Sequence, residues 1–127
     1  MNELIARHVE NKNNCGALPC PDGYAHFKGS CGDSLEMFLY IADGKINTVT
    51  FLVHGCDYIH ACASVLTELV MGRKLFETDR LEGMHIEKAL GGLPREHRHC
   101  ANLVVRTFRE VIADYQAKRR ATRQSIS

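Results

Sequence analysis

The sequence has almost no charge bias and no long apolar run. Among its 127 residues, 16 lysines and arginines stand against 15 aspartates and glutamates. A nearly neutral chain creates no field that would draw it to nucleic acid or to an anionic membrane. No window approaches the roughly 18 apolar residues of a membrane span, and the first residues lack a basic stretch followed by an apolar one. The sequence therefore predicts a cytoplasmic protein with no nucleic-acid or membrane partner.

The six cysteines include no C-x-x-C pair. This absence excludes the spacing of zinc ribbons and of thioredoxin-type redox motifs. Disulfides are rare in the reducing cytoplasm, so an even number of cysteines is weak evidence for a disulfide framework. The thiols are more consistent with metal or sulfur chemistry.

The chain also lacks an internal repeat, a low-complexity segment and a Pro/Gly/Ser linker. With 127 residues and 45% hydrophobic content, it is long enough for one domain with a real core and too short for two. We therefore predict a single domain over residues 1–127. The basic, polar end, about residues 119–127, is predicted to be a flexible tail.

Strands are predicted early in the chain and helices later. Alternating apolar residues, many of them β-branched or aromatic, mark strands at residues 24–30, 34–42 and 45–54, with the turn signal Asp43-Gly44 between the last two. Helical spacing occurs at residues 2–10, from Cys56 to Gly72, at 74–80, at 84–90 and in a long run opened by Pro94. This grouping predicts an α+β fold, with a small three-stranded antiparallel sheet, helices packed on one face and a long C-terminal helix.

The turn between the second and third strands determines which reactive residues meet. With Asp43 and Gly44 as the two turn residues, Cys31 lies opposite Cys56. The apolar faces of the two strands match only if a one-residue bulge or a longer turn shifts this register by one residue, and the shift still leaves the two thiols near each other. Asp33 lies two residues after Cys31, and in an extended segment the two side chains point to the same side. We therefore expect a carboxylate beside the paired thiols.

Two predicted helix starts contribute further donors. Cys56 precedes a helix, and Cys100 lies in the early turns of the last one, so we expect the positive end of a helix dipole to favour the thiolate of both. His99, next to Cys100, can offer a nitrogen. Three thiols, one carboxylate and one imidazole would then gather at one end of the sheet, a set suited to iron or zinc.

Each of these residues also has a purely structural interpretation. A single cysteine is most often a small buried hydrophobe, an aspartate after glycine is often a turn residue, and the run "EHRHC" is typical of a polar helix surface. For Cys62 we prefer packing, because it falls on the apolar stripe of its helix. Cys15 and Cys20 are predicted to lie in a loop without a role. No ligand role is assigned to the other histidines: His8, His26, His54, His60, His85 and His97.

Four segments, "HVENKNNCGAL", "GSCGDSLEMFLYIADGKI", "HGCDYIHACASVLTELVMGRKL" and "GGLPREHRHCANLVVRTFREVIADY", carry a resemblance to a known family. In order and interval they resemble the NifU/IscU-type iron-sulfur cluster assembly scaffold over about residues 4–118. The resemblance implies that Cys31, Asp33, Cys56, His99 and Cys100 form the assembly site, with Cys100 as the acceptor of persulfide sulfur.

The resemblance further implies a carrier and not an enzyme. Such a protein receives sulfur from a cysteine desulfurase, binds iron, builds a transient 2Fe-2S cluster and hands it to apo iron-sulfur proteins. A carboxylate is a hard, poor partner for a cluster iron, so Asp33 would be the weak ligand that allows release. Many members carry L-P-P-V-K before the H-C pair as a docking site for an Hsp70-type chaperone, whereas this chain reads "LPREH" at 93–97. The chaperone interaction is therefore not carried over.

Two other hypotheses use the same residues. The ligands could hold zinc permanently in a small structural zinc protein, in which case removal of the metal should unfold the chain. A Cys/His pair could instead be a nucleophile and its base. Adjacent residues such as His99 and Cys100 lie about 100° apart around a helix and do not easily bond to each other, which disfavours the enzyme.

Overall fold

The structure, a computed structural model, describes residues 2–29 and 32–126 and has an α+β architecture. Three strands form one antiparallel sheet in the order β1-β2-β3. The elements are α1 (Glu3–Glu10), β1 (Gly23–Lys28), β2 (Ser34–Ala42), β3 (Lys45–His54), α2 (Asp57–Val70), α3 (Gly83–Ala89) and α4 (His99–Ile126). Short 3-10 turns occur at Leu75–Thr78 and Arg95–His97. The predicted fold class is confirmed.

The register between β2 and β3 has the predicted two-residue turn and the predicted shift by one residue, and a bulge, not a longer turn, makes the shift. Ala42 pairs with Lys45 around the Asp43-Gly44 turn, and both turn residues have positive φ (54° and 73°), as a type I′ hairpin turn requires. The register then shifts by one residue between Tyr40 and Ile41. From there to Ser34, which pairs with His54, the new register holds. It therefore brings the residues just before β2 opposite the residues just after β3.

The helices α2 and α4 cover one face of the sheet and enclose the core. Alternate residues of β2, Leu35, Met37 and Leu39, are fully buried, as period-two alternation predicts. The predicted apolar stripe of α4 is buried at Cys100, Val104, Phe108 and Val111, and half-buried at Leu103, Ile112 and Tyr115. The strand β1 approaches α4 closely, since a Cβ at Gly23 would lie 2.6 Å from the Val111 carbonyl oxygen. Close helix–sheet packing therefore requires glycine at that position.

The segment between α1 and β1 covers the outer edge of β3. The Phe51 amide donates to the Asn14 carbonyl, and the Gly16 amide donates to the Phe51 carbonyl, each at 3.0 Å. The hydroxyl of Tyr40 donates to the carbonyl of Pro19, and this hydrogen bond links the later part of the segment to β2. An edge strand covered in this way presents fewer free backbone groups to other chains.

The long helix α4 begins later than the sequence predicts. Arg95–His97 form a separate 3-10 turn after Pro94, in which the His97 amide donates to the Pro94 carbonyl at 2.8 Å, and α4 starts at His99. The helix then continues to Ile126 and so includes most of the segment predicted to be a flexible tail. That prediction concerned mobility, and it stays a prediction. Within the described residues, no helix is both long and apolar enough to cross a membrane.

Candidate metal centre

The start of β2, the end of β3 and the starts of α2 and α4 meet at one end of the sheet. The register shift places Asp33 opposite Gly55 if the β2–β3 pairing is continued by one residue. Cys56 follows as the N-cap of α2, and Cys100 is the second residue of α4. Because α2 and α4 pack side by side on the sheet, their first turns bring the two cysteines together. The predicted hairpin and the two predicted helix starts indicated that Cys56 and Cys100 would lie close together.

Cys56, His97 and Cys100 form a group of possible metal ligands. One ligand atom from each lies within 4.8 Å of the others. Cys100 is 1% exposed, whereas Cys56 and His97 are half-buried and open to the surface. A tetrahedral zinc with bonds of about 2.0–2.3 Å separates its ligand atoms by about 3.3–3.8 Å. Side-chain adjustments of about an ångström would therefore close these donors around a metal.

The carboxylate of Asp33 lies against the backbone of Gly55. A Cβ atom added at Gly55 would overlap Oδ1 of Asp33. Gly55 also has a φ of 109°, which side-chain-bearing residues rarely adopt. The glycine thus serves two needs, since it makes the turn from β3 to α2 and leaves space for the carboxylate. Asp33 is near enough to Cys100 for its charge to help raise the pKa of that thiol.

Cys31 lies outside the described residues, so its place in the site stays a prediction. The residue between it and Asp33, Gly32, has a φ of 88°. The side chains of Cys31 and Asp33 were expected to point to the same side because the backbone was taken to be extended. Gly32, between them, is not extended, so that premise does not hold. The chain turns here, with the Gly29 amide donating to the Asp33 carbonyl at 2.7 Å.

The thiol of Cys100 is held in its protonated form. Burial, the charge of Cys56, a hydrogen bond with Cys56 and the charge of Asp33 together raise the pKa of Cys100 to about 12. The expectation that a helix start favours the thiolate is wrong for Cys100, because burial and neighbouring negative groups outweigh the dipole. A bound cation reverses this balance, since a coordinating thiol is deprotonated outright. The pocket therefore suits a cation better than a free thiolate.

Two histidines flank the centre in different ways. His99, the histidine predicted as a ligand, is exposed, and its Nε2 lies 3.8 Å from Sγ of Cys100, within hydrogen-bonding distance for sulfur. The expectation that these adjacent residues do not easily bond to each other is therefore wrong. His97 belongs to the three-residue ligand group, and its ring stacks on Tyr58 with centroids 3.9 Å apart and planes 11° apart. Sequence reasoning gave His97 no role. The spacing His97-x-x-Cys100, which aligns residues on one side of a helical turn, was the available signal.

The remaining cysteines lie elsewhere. Cys62 is fully buried on α2, and burial is the main cause that raises its pKa. This burial fits the predicted packing role. Cys15 lies on the β3 edge with its Sγ 3.8 Å from Nε2 of His60, and Cys20 is exposed.

Comparison with known proteins identifies the family. The profile of the NifU-like N-terminal domain matches residues 1–122. The iron-sulfur cluster assembly scaffold protein IscU 1 of Archaeoglobus fulgidus is 31% identical over 117 residues, covering 91% of this chain and 76% of that protein. The scaffold protein IscU of Escherichia coli is 32% identical over 127 residues, with 94% and 96% covered.

The fold agrees with a solved structure. The N-terminal NifU-like protein of Brucella abortus superposes with a TM-score of 0.71 at 21% identity, over 92% of this chain and 94% of that one. At this level of identity, the similarity between the two structures shows a shared fold and nothing about function. Together with the profile match and the two relatives, it leads to one conclusion: the chain belongs to the NifU-like N-terminal domain family.

Proposed function

We propose that this chain is a scaffold on which iron-sulfur clusters are assembled, and that it is not an enzyme. The observation that carries the proposal is the convergence of Cys56, His97 and Cys100 at one end of the sheet, with Cys56 and His97 half-buried, in a member of the NifU-like family. Thiolates are the ligands that hold iron-sulfur clusters. A site open to the surface suits a cluster that must be passed on.

The proposed ligands are Cys31, Asp33, Cys56 and Cys100, together with a histidine, for which the family resemblance suggests His99. The cluster is a transient 2Fe-2S cluster and is cargo, not a resident cofactor. Cys100 is the proposed acceptor of sulfur. Cys56 and the Asp33 carboxylate are both near enough to raise the pKa of Cys100, so a sulfur atom attached to Cys100 would be close to two further proposed ligands.

The proposed partners follow from this role. A cysteine desulfurase would supply the sulfur, and apo iron-sulfur proteins would receive the cluster. An Hsp70-type chaperone is not included, since residues 93–97 read "LPREH" where such a chaperone would dock. We further propose that the chain acts in the cytoplasm.

Zinc is a second proposed occupant of the same site. Two sulfur donors and one imidazole nitrogen, with a carboxylate beside them, are ligands that zinc accepts in a tetrahedral arrangement. In a purely structural zinc protein the metal would contribute most of the folding energy. Here the buried core of sheet, α2 and α4 extends well beyond the ligands. This extensive core favours a chain that stays folded without metal.

Anaerobic reconstitution tests the proposed function. The metal-free chain is incubated with ferrous iron, cysteine and a cysteine desulfurase, and visible absorption reports cluster formation. We expect 2Fe-2S bands that disappear when an apo-ferredoxin takes up the cluster. A chain that forms no cluster, and that unfolds when a chelator removes zinc, would instead be a structural zinc protein.

A further inference from the structure

We propose that the imidazole ligand of this site is His97 and that Tyr58 is the residue that positions it. This inference rests on the proposed function, because it concerns the ligands of the same site. It departs from the sequence-based choice, which placed His99 there.

The first observation is the ring stack. The rings of Tyr58 and His97 are 3.9 Å apart between centroids and nearly parallel, at 11°. A stack this close fixes the plane of the imidazole and leaves its nitrogens at the ring edge, free to bind. One nitrogen of His97 lies within 4.8 Å of both Sγ of Cys56 and Sγ of Cys100. The stack therefore holds the ring where a metal between the thiols could reach it.

The second observation is that both rings are carried by rigid backbone. Tyr58 is the second residue of α2, two positions after Cys56, so one helix start presents both a thiol and the stacking ring. His97 ends a 3-10 turn in which its amide donates to the Pro94 carbonyl at 2.8 Å. Only two residues separate His97 from Cys100. The stack consequently also joins the start of α2 to the turn that leads into α4.

The third observation is the different surroundings of the two histidines. His99 is exposed, and the contact that places it near the site is its approach to Cys100 at 3.8 Å. An exposed side chain must lose rotamer freedom when it binds a metal, whereas the stacked ring of His97 has already lost much of it. Outer contacts that orient a histidine ligand typically change metal affinity 10–100-fold. Preorganisation thus favours His97.

Zinc binding by the full, metal-free chain separates the two histidines. Zinc affinity is measured by competition with a chromophoric chelator for the parent, His97→Ala, His99→Ala, Tyr58→Ala and Tyr58→Phe. We expect about a tenfold or greater loss for His97→Ala and Tyr58→Ala. The loss for His99→Ala should be smaller than that for His97→Ala. Tyr58→Phe should stay within about threefold of the parent, because stacking needs the ring and not the hydroxyl.

A spectroscopic measurement reports the ligand directly. Histidine ring nitrogens are observed by ¹⁵N NMR with and without zinc, and the signals are assigned by the two alanine variants. We expect zinc to shift a ring nitrogen of His97 strongly in the parent and in Tyr58→Phe, and less in Tyr58→Ala. Circular dichroism checks that each variant is folded. If Tyr58→Ala does not fold, Tyr58→Leu takes its place, because it keeps an apolar side chain of some bulk but has no ring to stack on His97, and parent-like zinc affinity in folded Tyr58→Leu would equally remove the positioning role.

Several results would overturn the inference. A greater loss for His99→Ala than for His97→Ala, or a zinc-dependent shift at His99 instead of His97, would assign the ligand to His99 while leaving the scaffold proposal intact. Parent-like affinity in a folded Tyr58→Ala would remove the positioning role of Tyr58. A parent chain that binds neither zinc nor a cluster would overturn both the inference and the proposed function.

Discussion

In the proposed ligand set, Asp33 is the one hard oxygen donor among sulfur and nitrogen donors. Its carboxylate lies over Gly55 and close enough to act on Cys100. Soft thiolates bind cluster iron well, and a carboxylate binds it less well. The residue therefore suits a site that must release what it has assembled.

Replacing Asp33 by alanine should give a longer-lived cluster. We expect the 2Fe-2S absorption of Asp33→Ala to decay in air several-fold more slowly than in the parent, and transfer to an apo-ferredoxin to slow in parallel, because the weak ligand is gone. Asp79→Ala is a matched control, since Asp79 is exposed and lies near the Asp43-Gly44 turn at the opposite end of the sheet. Equal or faster decay in Asp33→Ala would contradict the role given to this carboxylate.

At the scale of secondary structure, the turn from β3 to α2 determines where the carboxylate lies. Gly55 has a φ of 109°, and a Cβ at this position would meet the Asp33 carboxylate. The turn delivers Cys56 as the N-cap of α2 immediately afterwards. A single glycine thus sets the relation between a thiol and a carboxylate that come from different parts of the chain.

The variant Gly55→Ala should disturb both the turn and the site. We expect a loss of about 1–3 kcal/mol in the free energy of unfolding, since the added methyl group meets Asp33 and the backbone is strained. Gly72→Ala is the control, because Gly72 also has positive φ (84°) but has no atom within 4 Å of an added Cβ. Denaturant unfolding gives both losses. A loss for Gly55→Ala no greater than for Gly72→Ala would show that the contact with Asp33 is unimportant.

The sequence predicts the elements well because their signals are local. The Asp43-Gly44 turn, the apolar alternation of β2 and the helical stripe of α4 each follow from short-range spacing. The register shift of one residue was also predictable, because the apolar faces of two strands had to agree, but its position between Tyr40 and Ile41 was not. The start of α4 at His99 was not predicted, because Pro94 is followed by a separate 3-10 turn before the helix begins.

The candidate site was harder to predict because its geometry depends on contacts between distant residues. His97 could not be chosen over His99 by spacing alone, as both are near Cys100 in sequence. The proposed choice of His97 rests on its ring stack with Tyr58 of α2, which lies almost 40 residues earlier. The raised pKa of Cys100 was missed for the same reason: it comes from burial by the tertiary fold and from Cys56 and Asp33.

At the scale of the whole molecule, the buried thiols make the stability of the metal-free chain sensitive to alkaline pH. Burial is the main cause that raises the pKa of both Cys62 and Cys100, the latter to about 12. A thiol with a raised pKa stabilises the folded state fully below its unfolded pKa of about 8.5. That contribution is lost as the pH rises towards the folded value, because the unfolded chain releases the proton first.

We therefore expect the free energy of unfolding to fall between about pH 8.5 and pH 10, with up to about 1.4 kcal/mol per pH unit from each buried thiol. Cys62→Ala should cost about 1 kcal/mol at pH 7, as for the loss of a small buried group, and should make the alkaline decrease shallower. Urea unfolding at several pH values, under reducing conditions and with a chelator, measures both effects. If the pH dependence of unfolding is unchanged in Cys62→Ala, the buried Cys62 thiol is not a source of the alkaline loss of stability.

The assembly site itself is tested most directly by counting the iron and sulfide that the chain binds. Cys31→Ser, Cys56→Ser and Cys100→Ser are reconstituted anaerobically beside the parent, with Cys15→Ser as the control because Cys15 lies on the β3 edge beside His60. We expect each of the three variants to lose most of its bound iron and sulfide while Cys15→Ser retains both. Full stoichiometry in Cys31→Ser, Cys56→Ser and Cys100→Ser would contradict the assignment of these cysteines to the assembly site.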